Sequence, residues 1–186
     1  MNRFDRSAVA ATVARLDLTP AQGKLAEYWL SLWNGDVLPP RNGFHPARVK
    51  TLLPMLAIFD VVPDRSVTVR LAGTAYTTVL GRELTGTDWL GVLPAGQRAS
   101  RLRSFSEIAR GAIGKGTRRI ELHGTKSAEC FEFLLPFQEE KEGGNHPVIC
   151  HVEWKAQQRF VKIRSWEQAV GVAQCFETIA LPRATA

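Results

Sequence analysis

Apolar positions along the chain switch between two periods. Leu25, Trp29, Leu32 and Trp33 stand at i, i+4, i+7 and i+8, one broad stripe on a helix. Thr19-Pro20-Ala21-Gln22 opens that helix: threonine caps, proline suits the first turn, and glutamine sits where a capping box needs it. Asn34-Gly35 ends it. Three prolines and a glycine between Leu38 and Pro46 keep that stretch irregular. A short helix over about Pro46–Leu53 follows and stops before Pro54.

From Leu56 the period falls to two. Leu56–Val62 is nearly continuously apolar, Pro63-Asp64-Arg65-Ser66 turns the chain, and Val67, Val69 and Leu71 alternate with Thr68 and Arg70. This is a hairpin, and an Arg70–Asp60 pair across it is expected. A short helix runs from Thr74 to about Leu80. A longer one spans about Gly96–Ala112, with Leu102, Phe105, Ile108 and Ala109 on its apolar side and Arg98 and Arg101 within or beside that sector. Three strands follow, around Ile120 and Leu122, over Phe131–Phe137, and over Val148–Trp154. Phe160–Ile163 and Val170–Leu181 fit either extra strands or a helix on the sheet. Strands in a pair and a triplet with helices between them predict an α+β domain built on one antiparallel sheet.

The 186 residues suit one domain with appendages, and 45% apolar with 23% charged residues is ordinary globular composition. No run reaches the roughly 18 apolar residues of a membrane helix. No signal peptide stands out, so a cytoplasmic protein is expected. Cys130, Cys150 and Cys175 form no Cys-x-x-Cys pair and read as free thiols. The net charge of +6 is unevenly spread. Residues 95–120 hold six arginines and one lysine against Glu107, whereas residues 129–142 hold five glutamates against Lys141. Aromatic residues are not interleaved with the basic ones, which argues against a nucleic-acid platform.

Pro40-Arg41, Pro46 with Leu52-Leu53-Pro54, Arg70-Leu-Ala-Gly-Thr74 and Leu80-Gly-Arg-Glu-Leu-Thr-Gly86 add to this order of elements. Together they resemble a small bacterial single-domain PAS family that carries a tryptophan-containing helix ahead of its sheet. That family commonly has aspartate where this chain has His45. The resemblance implies a PAS-like five-stranded antiparallel sheet with helices on one face, over residues 24–155. Residues 1–23 are then an N-terminal arm and helix start, and residues 156–186 a C-terminal extension. Haem and flavin occur in some PAS domains. The run Asn-Cys-Arg-Phe-Leu-Gln of flavin photosensors is missing, and the long helix has no histidine, so neither cofactor is expected.

No Gly-x-Ser-x-Gly, Walker or His-Glu-x-x-His motif occurs. Gly111-Ala-Ile-Gly-Lys-Gly116 follows a helix and precedes a strand, the reverse of a phosphate loop. His123 and His151 alternate out of phase with the apolar positions, so the sheet's outer side is their expected place, without a metal. The candidate site lies between the long helix and the inner sheet face. Phe105 and Ile108 there face Ile120, Leu122, Phe133, Leu135, Cys150 and Val152, and Arg98 and Arg101 stand at the mouth. Such arginines must snorkel, find a carboxylate or bind an anion. Trp29 and Trp33 are the expected interface residues.

These features fit a non-enzymatic sensory module working through protein contacts. Its expected partners are a second copy or a signalling protein, with a small anionic or apolar ligand in the cavity. A small-molecule enzyme or carrier using the same cavity is the alternative.

Overall fold

The computed structural model describes residues 3–80, 82–121, 127–140, 144–155 and 173–184. The chain opens with α1 (Arg6–Ala14), capped by the Asp5 carboxylate, and α2 (Pro20–Ser31). At the start of α2 both bonds of the capping box form, Gln22 N to Thr19 Oγ1 at 3.3 Å and Thr19 N to Gln22 Oε1 at 3.2 Å. Single 3-10 turns follow at Arg41–Gly43, Pro46–Val49 and Leu53–Met55. The helix expected over Pro46–Leu53 is therefore broken into turns, because Pro54 removes a donor and holds Leu53 away from α geometry. His45 supplies no side-chain cap to the second turn.

Strands β1 (Leu56–Val62) and β2 (Ser66–Ala72) form the hairpin, followed by α3 (Thr74–Leu80) and α4 (Ala95–Ala109). Gly73 sits between β2 and α3 in close contact with the third 3-10 turn. A Cβ there would lie 2.2 Å from the Leu53 carbonyl oxygen, which only glycine avoids. The long helix stops short of Ala112 because Gly111, at φ 106°, turns the chain into β3 (Ala112–Glu121). Then come β4 (Ser127–Pro136), β5 (His146–Lys155) and β6 (Ala173–Ala180).

The strands make one antiparallel sheet in the order β2-β1-β5-β4-β3-β6. The expected α+β architecture is present. Ala173–Ala180 adds a sixth strand at the edge, beside β3, while Phe160–Ile163 lies outside the described residues.

Helices cover both faces rather than one. Val148, Cys150, Val152, Cys130 and Leu134 pack in one core with Phe105 and Ile108 of α4. Ile149, Phe133, Leu135 and Phe137 pack in a second core with Val9 of α1 and Leu25 and Trp29 of α2. Both parities of β4 are apolar through Phe133-Leu134-Leu135, so each of its faces needs a cover. Opposite β6, the edge of β2 is shielded by the chain after α3: Val69 N–H donates to Thr87 O at 2.9 Å and Trp89 N–H to Val67 O at 2.8 Å.

Candidate functional site between the long helix and the sheet

Arg101, Phe105 and Ile108 follow one another at i, i+4 and i+7 on α4 and point to the sheet. Beneath them β4 presents Glu132 and Leu134, and β5 presents Cys150 and Val152. Phe59 of β1 meets the edge of Phe105 at 5.0 Å between ring centroids and lies tilted against Trp89 at 5.5 Å. Together with Tyr76 of α3 these side chains, Ile108 excepted, line a void of about 20 Å³. That is space for about one water molecule.

Among the described residues the charge in this layer is held in an Arg101–Glu132 ion pair. The Arg101 guanidinium donates from Nη2 to Oε2 of Glu132, and their side chains are only 8% and 9% exposed. Arg101 also lies over the Phe176 ring, with Cζ 4.1 Å from its centroid. Its Nη1 has no hydrogen-bond acceptor among the described residues. Tyr76 Oη donates to Cys150 Sγ at 3.8 Å, and burial lifts the phenol well above its usual pKa. The site therefore combines a neutralised ion pair, a neutral phenol, a thiol and aromatic walls.

Arg101, Phe105, Cys150 and Val152 line the void. Ile108 is fully buried in the same core but does not reach it. Phe133 and Leu135 belong to the opposite face: in β4 it is Cys130 and Leu134 that join the α4 core and Glu132 that meets Arg101. Arg98 is exposed and spent on the turn before α4, donating to Leu93 O at 3.0 Å and Gly91 O at 3.4 Å. Ile120 pairs in register with Ala128 near the end of β3, and Leu122 is outside the described residues. Sequence reasoning missed Glu132, Tyr76, Trp89, Phe59 and Leu134. The signal for Glu132 was available, since an arginine on a core-facing helix sector requires a carboxylate.

The expected interface tryptophans are internal. Trp29 and Trp33 are 1% and 4% exposed and meet edge to face, with ring centroids 5.2 Å apart. They face β4 because the apolar stripe of α2 is needed to cover the second sheet face. His151 does lie on that outer face, but the face is covered, so the ring is 2% exposed instead of at the surface. His123 is outside the described residues.

The anticipated Arg70–Asp60 contact forms at 2.8 Å and belongs to a larger network. Arg70 also donates both Nη groups to Glu140, at 2.7 and 2.8 Å, and Arg41 Nε reaches the same carboxylate at 2.7 Å. Hydrogen bonds first from Arg70 and then from Arg41 pull the Glu140 pKa down to about 2. Arg110, from the basic segment, pairs with Asp64 of the hairpin turn.

An antiparallel sheet crossed by one long helix holds a small polar cluster between the two. A family model described as PAS domain matches residues 18–148, so the chain belongs to the PAS domain family, a class of sensory and regulatory modules. No curated protein sequence matches the chain. Among the described residues no helix is long and apolar enough to cross a membrane.

Proposed function

We propose that this protein is a non-enzymatic PAS module that senses a small ligand in the layer between α4 and the sheet and passes the signal on through contact with another protein. The observation that carries this reading is Arg101. A guanidinium in an apolar core is costly, and Glu132 balances its charge but leaves Nη1, beside the void, without an acceptor among the described residues. A buried donor in that state is a place where a ligand atom adds a hydrogen bond at little further desolvation cost. A void with room for about one water supports sensing by a core that yields, rather than turnover in an open chamber.

Native mass spectrometry of the freshly purified full chain tests this. The expected result is a retained organic mass in the wild type that is lost in Arg101→Met. A bare chain in repeated preparations would overturn the ligand reading.

A further inference from the structure

One wall of the layer under α4 is borrowed from another strand. Gly114 and Gly116 of β3 pair with Leu134 and Glu132 of β4, so both turn towards α4 and put no side chain there. The space they leave is taken by the ring of Phe176, whose residue pairs with Gly116 from β6, and over Gly114 also by Ile108 Cδ1, 2.6 Å from where a Cβ would lie. A Cβ at Gly116 would lie 2.5 Å from Phe176 Cδ2, and one at Gly114 would lie 3.0 Å from Phe176 Cζ. The ring thus spans both glycines, and Arg101 covers it.

The element holding this ring is an edge strand, tied to α4 through the Thr178 hydroxyl, which donates to Glu107. Among the described residues β6 pairs only with β3 and occupies the edge of the sheet. It also lies beyond the stretch matched to the family. The family portion therefore carries a ring-shaped trough that a residue outside it fills.

Accepting the cavity as the sensory input, we propose that Phe176 is a removable plug. The trough over Gly114 and Gly116 is a binding site for a flat, uncharged aromatic ring bearing a hydrogen-bond acceptor, and it fills when β6 separates from β3. The incoming ring replaces the Phe176 ring under the guanidinium, and its acceptor meets Arg101 Nη1. The ligand is uncharged because Glu132 already neutralises Arg101, and a second buried carboxylate would go unbalanced.

The test uses the full chain, acetophenone as probe, and amide exchange followed by NMR. In the wild type, saturating acetophenone should shift the Gly114 and Gly116 amides and speed exchange of the β6 amides at least about tenfold. Phe176→Ala, which removes the competitor, should bind the probe at least about tenfold more tightly. Phe176→Leu keeps an apolar side chain without the ring and should give the same ordering if the alanine variant folds poorly. Binding at the glycines with β6 exchange unchanged and affinity unaltered in the variants would overturn the plug alone. Failure of the wild type and both variants to bind would overturn the plug and count against this ligand class for the cavity, whereas a retained organic mass in the native spectrum would show that the cavity reading itself survives.

Discussion

The indole Nε1–H of Trp29 donates to the carbonyl oxygen of Pro136 at 2.8 Å, fastening α2 to the end of β4 on the sheet face opposite α4. The Trp29 side chain is almost wholly buried, and the bond links residues 107 positions apart. The aromatic surface of α2 is consequently part of this chain's own core.

Trp29→Phe keeps most of the ring and deletes the donor. A buried carbonyl left unpaired costs about 1–3 kcal/mol. The melting temperature should fall by roughly 2–4 °C for each kcal/mol in a chain of this size. Light scattering of the folded variant should report the wild-type mass at every concentration. A changed mass with an unchanged melting temperature would return Trp29 to a surface role.

His151 makes the second face acid-sensitive. It pairs in register with Leu56 and Phe133, and Glu153 is the nearby charge that opposes the shift. Burial lowers its pKa below the ordinary 6.5. As pH falls through that ordinary value the unfolded chain takes up a proton that the folded chain refuses, so stability falls. The loss is bounded at about 1.4 kcal/mol per pH unit. His146 is shifted the same way by burial, so the informative comparison is with His151→Gln. Urea midpoints between pH 7.5 and 5 should fall less steeply in that variant; parallel profiles would remove His151 as a source of the acid sensitivity.

Glu140 works in the opposite sense. Its pKa, lowered to about 2 by Arg70 and Arg41, means that the carboxylate stabilises the fold fully above its ordinary value of 4.5. That contribution is lost as pH drops towards about 2. The group is partly open to solvent, so screening keeps the effect small. Glu140→Gln should be less stable than wild type at pH 6, and the gap should be narrower at pH 3. A gap that stays constant, measured by urea titration at both pH values, would mean that the pairing of Glu140 with Arg70 and Arg41 contributes nothing through charge.

Much of this architecture is legible in the residues themselves, and the exceptions share a cause. Thr19, Pro20 and Gln22 specify the start of α2 locally, and Val148, Cys150 and Val152 show the inward parity of β5. In β4 the same logic points the wrong way. Phe131, Phe133, Leu135 and Phe137 look like the side that meets the long helix, yet Phe133, Leu135 and Phe137 meet α1 and α2. A strand buried on both faces carries no polar side to set its phase, and Glu132 imitates a solvent position because its partner, Arg101, is distant in sequence. Arg98 and Arg101 share a sector of α4, but Arg98 is in the first turn, where the carbonyls of the preceding loop claim it.

The most direct test of the account is a double-mutant cycle between Arg101 and Glu132. Each single change, Arg101→Met or Glu132→Leu, leaves a buried charge uncompensated and should cost about 3–5 kcal/mol in urea unfolding. The double variant should regain most of that loss and fold with near wild-type stability, giving a strong coupling. Losses that simply add, or single variants as stable as the wild type, would contradict a buried ion pair between α4 and the sheet, and with it the site on which the sensory reading stands.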